Sequence, residues 1–207
     1  MISPTVLFEK QLKKQGHKII IGIDEVGYGA IAGPVLACAV ILKEQHPSPF
    51  FILDSKQLSE QKREKLFEKL KKEFCFMFAI GQASVLEIHM KGIREATNLA
   101  LVRAIDQLGI QEDGYILLDG VVRPNFSLPC QTIIRGDQSI LSIATASIIA
   151  KVTRDRLMRD LDTLFPCYGF SQHKGYGTLK HLQAILENGS CKFHRTDWKC
   201  FDERQIF

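Results

Sequence analysis

The sequence has no apolar run close to the roughly 18 residues that a bilayer-crossing helix needs, so no membrane span is expected. It has no C-x-x-C pair. Cys38, Cys75, Cys130, Cys167, Cys191 and Cys200 stand apart, which argues against a zinc ribbon or a thioredoxin-type centre. Six cysteines would allow three disulfides, but a chain of 207 residues without an export signal does not need them. Cys38 and Cys75, set in apolar runs, read as buried thiols. The opening residues include Glu9, Lys10, Lys13 and Lys14, unlike a secretory signal. A soluble, cytoplasmic protein with no membrane contact is expected. Repeats, low-complexity tracts and long linkers are lacking. The net charge of +4 is too small to demand an anionic partner by itself.

What is present is an ordinary globular balance, 45% apolar and 24% charged. Its length suits one domain with a small appendage. Residues 5–15 read as a short amphipathic helix, and 18–24, rich in β-branched residues, as a strand. A glycine-containing turn leads to a second apolar strand, 34–42. Ser59 suits the N-cap of a helix running to about Glu73. A strand over 74–81, a helix over 93–109 and strands at 115–119 and 131–134 follow. A long helix runs from Gln138 to about Leu164, where Pro166 stops it, and a last helix spans 178–188 before Gly189. This order predicts an α/β domain with a central mixed sheet and a helical C-terminal tail. Residues 1–17 form an extension, 18–207 the domain, and about 178–207 the tail.

Charge is distributed unevenly. Residues 56–72 hold seven Lys or Arg against Glu60, Glu64 and Glu68. Such a stretch can face phosphates, or it can be a solvated helix face laced with ion pairs. Four acids stand out by position: Asp24 and Glu25 at the end of the first strand, Asp119 at the end of another, and Asp137 after Gly136. Clustered carboxylates repel one another unless one is protonated or a cation intervenes. An oxygen-only set suits Mg²⁺ or Mn²⁺ rather than zinc. Two such ions can support in-line phosphodiester displacement. Adjacent residues on a regular strand point to opposite faces, so Asp24 and Glu25 share a site only if the strand twists or ends there. The alternative is that these acids merely begin turns.

Residues 22–35, GIDEVGYGAIAGPV, resemble the opening signature of the ribonuclease HII (type 2 ribonuclease H) family. Further matches follow in the family's order: DSKQL at 54–58, LDG at 118–120, GD at 136–137, ASIIAKVTRD at 146–155 and QHKGY at 172–176, with His194-Arg195 similar to a late motif. The resemblance covers about residues 18–198. It implies a ribonuclease H-like fold, a central mixed β-sheet flanked by helices with a short helical C-terminal region. It also implies a metal-dependent endonuclease, using Mn²⁺ or Mg²⁺, that hydrolyses the RNA strand of RNA–DNA hybrids. Such an enzyme nicks duplex DNA 5′ to embedded ribonucleotides, leaving 5′-phosphate and 3′-hydroxyl ends.

The resemblance assigns metal binding and catalysis to Asp24, Glu25, Asp119 and Asp137. Asp137 also reads as a candidate N-cap of the long helix. Substrate contacts fall on Gly27, Tyr28, Gly29, Lys56, Lys174 and Tyr176, the last packing on a deoxyribose from an exposed loop. The expected partners are RNA–DNA hybrid and ribonucleotide-containing duplex DNA, bound by a monomer. The family usually has Gly-Arg-Gly where this chain has Gly27-Tyr28-Gly29. That departure removes a multidentate phosphate contact. It leaves open a broader hybrid ribonuclease with weaker junction selectivity. A non-catalytic nucleic-acid-binding relative is a further alternative. His173 reads as an orienting residue, and Ser142 and Ser147 as packing residues.

Overall fold

The isoleucines of β1 (Ile19–Val26) alternate between two apolar layers, as a strand buried on both faces requires. Ile21 and Ile23 belong to one cluster and Ile20 to another. The structure, a computed structural model, describes residues 4–43, 59–73, 76–120 and 124–198. β1 is the central strand of a five-stranded sheet with β2 (Val35–Leu42), β3 (Phe76–Ala83), β4 (Gly114–Asp119) and β5 (Cys130–Ile133), in the order β3-β2-β1-β4-β5. β1–β2 and β2–β3 are antiparallel, whereas β1–β4 and β4–β5 are parallel. The sheet is therefore mixed, as expected. No described helix is long and apolar enough to cross a membrane.

Helix α3 (Val85–Leu108) covers one face through Ala96, Ala100, Leu101, Ala104 and Ile105. On the other face lies α4 (Leu141–Leu164), flanked by α1 (Leu7–Lys14) and α2 (Glu60–Glu73). A Cβ on Gly22 would collide with the backbone of Ser142 and Ile143. The absence of a side chain there lets β1 lie directly on α4. α1 is packed into this layer through Leu12. Its buried Glu9 accepts from the Ser142 amide (3.0 Å) and hydroxyl (2.9 Å). This supplies an acceptor at the start of α4, whose own N-cap, Ile140, has none. The short α5 (Phe170–His173) and α6 (Leu179–Asn188) close the far end around Phe170 and Tyr168.

Two boundaries differ from the sequence expectation. α3 begins at Val85, not 93, because Ser84 and Glu87 form a reciprocal capping box. Gly92, at φ +77°, then breaks the helix, and the expected start coincides with that break. α4 begins at Leu141, not Gln138, and Gly136–Gln138 form a separate 3₁₀ turn. Asp137 therefore lies in that turn and is not the N-cap. Ser59 does cap α2, accepting from the Lys62 amide at 3.4 Å. The basic stretch divides by face: Glu60, Glu64 and Glu68 pair with Arg156 and Arg159 of α4, while Lys62, Lys65, Lys71 and Lys72 are exposed. Among the described cysteines, Cys38, Cys130, Cys167 and Cys191 are free thiols and Cys38 is buried; Cys75 lies outside the described residues.

Candidate active site

The two central strands do not end together. β1 runs on to Val26 beside β2, but its last pairing with β4 is Ile23–Leu118. Asp119 already pairs with Ile133 of β5, and the Gly120 amide donates to the Ile133 carbonyl. Residues 24–26 of β1 thus have a strand on one side only, and a notch opens beside them. This resolves the problem posed by adjacent acids. The partner strand ends, rather than β1, and both Asp24 and Glu25 reach the notch from an open edge. They line a cavity of about 360 Å³ together with Asp119, Gly27, Tyr28, Gly29 and Tyr176. Ser147, Lys151 and Arg63 complete its wall.

Short hydrogen bonds orient the acids. The Gly136 amide donates to Asp119 Oδ1 (2.8 Å) and the Glu25 amide to Asp24 Oδ1 (2.8 Å). Burial, then the charges of Glu25 and Asp119, push the Asp24 carboxyl well above the ordinary carboxylate range. A hydrogen bond with Ser147 works against this, and Asp137 adds a smaller push upward. Asp137 is itself buried and is not among the residues of the cavity wall, although its charge reaches Asp24. Among the described residues, no group of three acid, imidazole or thiol side chains already stands close enough to hold a metal ion. The acids share one cavity while repelling one another. A proton on Asp24 relieves that repulsion, and so would a hard divalent cation that draws the carboxylate oxygens inward.

Two buried arginines hold the loops above the acids. Arg154 donates to the carbonyls of Pro34 (3.1 Å), Ala32 (3.0 Å) and Lys174 (2.8 Å). Arg195 donates to those of Gly33 (2.9 Å) and Tyr28 (3.0 Å). The Ile31 and Ala32 amides both donate to the Gly175 carbonyl, and the Arg195 amide to the Ile31 carbonyl. The loops bearing Tyr28 and Tyr176 are thereby fastened to each other and to the C-terminal segment. Gly27, at φ +89°, lies against the Arg154 guanidinium, where any Cβ would clash.

The ribonuclease HII family model matches residues 21–201. The ribonuclease HII of Syntrophotalea carbinolica is 44% identical over 198 residues, 96% of this chain and 93% of that protein. The ribonuclease HII of Lachnoclostridium phytofermentans is 46% identical over 192 residues, 93% of this chain and 74% of that protein. The chain belongs to the ribonuclease HII family. It is a nuclease, a hydrolase of phosphodiester bonds that acts on the RNA strand of RNA–DNA hybrids. Two solved structures share the fold. Ribonuclease H2 from Pyrococcus horikoshii OT3 superposes with a TM-score of 0.72 at 23% identity, over 91% of this chain and 97% of that one. Bst-RNase HIII in complex with Mn²⁺ gives 0.66 at 18% identity, over 96% of this chain and 72% of that one.

Within this ribonuclease HII fold, seven of the ten expected site residues line one cavity: Asp24, Glu25, Gly27, Tyr28, Gly29, Asp119 and Tyr176. Tyr28 and Tyr176 are 45% and 37% exposed, open to a ligand. Lys56 lies outside the described residues. Lys174 corrects an expectation. It is not on an exposed loop but buried, with its ammonium paired to Glu60 (3.0 Å) and bonded to the Ser171 carbonyl. It is a strut between α2 and the Tyr176 loop, because burying an ammonium requires such partners. Three wall residues were not among the expected site residues: Arg63 was read only as part of the basic stretch, Ser147 as a packing residue, and Lys151 only as part of a motif. Ser147 and Lys151 are one turn apart on α4. That spacing was legible, but which face of an almost wholly buried helix meets the acids was not.

Proposed function

We propose that this chain nicks duplex nucleic acid on the 5′ side of a ribonucleotide, within RNA–DNA hybrids and at single ribonucleotides in DNA, leaving 5′-phosphate and 3′-hydroxyl ends. The observation that carries this reading is the single cavity in which Asp24, Glu25 and Asp119 lie beneath Tyr28 and Tyr176. Asp24, Glu25 and Asp119 would hold Mg²⁺ or Mn²⁺, with Asp137 supporting them. Two ions bound there would supply an activated water and neutralise charge on the leaving oxygen. The chain's own residues do the rest. The Gly27-Tyr28-Gly29 backbone approaches the ribose and its 2′-hydroxyl. Tyr176 packs on the neighbouring sugar. Lys151 and Arg63 face the phosphate. The test is a duplex carrying one ribonucleotide, incubated with pure protein in Mg²⁺ and in Mn²⁺. A nick immediately 5′ to the ribonucleotide is expected; no nick in either metal from folded protein rejects the reading.

Tyr28 favours a second reading, a hybrid ribonuclease with relaxed junction selectivity. Tyrosine brings a ring and one hydroxyl where the family usually has a guanidinium. Comparing rates on a long hybrid and on a single-ribonucleotide duplex separates the two. Tyr28→Arg is expected to bind the single-ribonucleotide duplex more tightly. The slope of log affinity against log salt should steepen by about one, the signature of one added phosphate contact. An unchanged slope removes Tyr28 from the phosphate path.

A further inference from the structure

Three histidines lie outside the carboxylate cavity and no step of hydrolysis uses them. They are His173 at the end of α5, His181 in the first turn of α6, and His194 beside Arg195. His181 is fully buried and His194 nearly so. The His173 and His181 rings stack at 4.0 Å, and Phe170 meets His181 edge-on at 5.5 Å. An apolar cluster had no need of three imidazoles, since burying polar rings is unfavourable unless each nitrogen is satisfied.

The nitrogens are satisfied in one consistent pattern. The Tyr176 carbonyl, 2.9 Å from His181 Nδ1, can only accept, so Nδ1 carries the proton. Burial pulls His181 down to about 4, so the ring is neutral near pH 7 and its Nε2 is bare. His194 Nε2, 3.2 Å away, must then donate to it. That leaves His194 Nδ1 bare, and it accepts from the Cys191 amide at 2.9 Å, a shorter contact than the 3.3 Å to the Cys191 carbonyl. His173 obeys the same logic: Nδ1 accepts from the Gly175 amide (3.2 Å) and Nε2 donates to the Tyr168 carbonyl (2.8 Å). The chain of donors runs from the C-terminal segment to one carbonyl, that of Tyr176, which the Thr178 amide also meets at 2.8 Å.

We propose that His181, oriented by His194, is the positioning residue for Tyr176: its Nδ1–H holds the Tyr176 carbonyl and so fixes where the ring stands over the cavity. This rests on the reading of Tyr176 as a substrate contact. A phenylalanine would fill the same space and leave the carbonyl with only the Thr178 amide. An asparagine would place an amide donor near the Nδ1 position and restore the bond.

The experiment measures KM and kcat on a duplex with one ribonucleotide for His181→Phe, His181→Asn, Tyr176→Ala and the double variant His181→Phe/Tyr176→Ala. His181→Phe should raise KM about tenfold with a smaller change in kcat, and His181→Asn should recover most of that. In the Tyr176→Ala background, His181→Phe should change KM less than about twofold, because nothing remains to be positioned. An equal loss in both backgrounds overturns the proposal and leaves Tyr176 a substrate contact. No effect of Tyr176→Ala alone overturns the reading of Tyr176, and the proposal with it. If His181→Phe does not fold, the unmutated protein still decides. Imidazole nitrogen NMR should find His181 protonated on Nδ1 and His194 on Nε2, and His181 protonated on Nε2 instead rejects the mechanism.

Discussion

Asp24→Asn is expected to abolish hydrolysis and, in the same protein, to raise the stability of the metal-free state. The two effects have one cause. Asp24 is buried beside Glu25 and Asp119, and its carboxyl is pushed well above the ordinary range. The folded protein therefore holds a proton there that the unfolded chain releases near pH 3.8. The associated stability is complete below that pH and is lost as pH rises through the raised folded value. Asparagine keeps the shape and never ionises, so the variant's advantage over the unmutated protein should widen with pH. A gain of about 1 kcal/mol, or roughly 2–4 °C in Tm, is a reasonable scale for relieving such a contact in a chain of this size.

Adding Mn²⁺ or Mg²⁺ should reverse the order, since the unmutated protein then gains binding energy that the variant has lost. Loss of turnover on the order of 10³-fold follows if several kcal/mol of charge stabilisation are withdrawn. The measurements are melting curves in chelator and in metal across pH 5–8, alongside initial rates. Near-normal turnover, or a less stable variant in chelator, would remove Asp24 from the proposed metal site. Asp119→Asn should match it in activity but gain less stability, because the Asp119 carboxylate accepts from the Gly136 amide and lies less deep.

Arg154→Met should be the most damaging single change outside the acids. The guanidinium is fully buried, and burial pulls its pKa down without neutralising it. Methionine fills much of the volume but leaves the carbonyls of Pro34, Ala32 and Lys174 without their donor. Each orphaned buried carbonyl costs about 1–3 kcal/mol, partly relieved by relaxation or entering water, so a total near 3–5 kcal/mol is expected. In a chain of this length that lowers Tm by roughly 10–20 °C. Where the variant is still folded, kcat/KM should fall further than the folded fraction does, since Arg154 ties the Tyr28 loop to the Tyr176 loop. A Tm within about 3 °C of the unmutated protein would show that the carbonyls find other partners. Arg154→Lys, with fewer and differently placed donors, should fall between.

Much of this molecule is legible along the chain. Apolar periodicity located every strand of the sheet and most helices, because burial on two faces leaves a repeat that one sequence can display. The motifs around Asp24, Asp119 and Asp137 pointed to the family and to which acids to examine. Sequence left the capping box at Ser84 unread, and it misplaced the start of α4, where the acceptor for the Ser142 amide comes from Glu9, 133 residues away. It also took Lys174 for a surface residue, since glycines beside it suggest a loop but not what covers that loop. By itself, then, the sequence determined the strands and the mixed α/β class, and it singled out the acids proposed as metal ligands. Tertiary structure alone decided that β4 leaves β1 after Leu118, which lets two neighbouring carboxylates face one notch. It alone brought Arg154, Arg195 and His181 to the carbonyls that hold the tyrosine loops. A hydrogen bond between distant segments depends on where the folded chain returns, and local periodicity carries no trace of that.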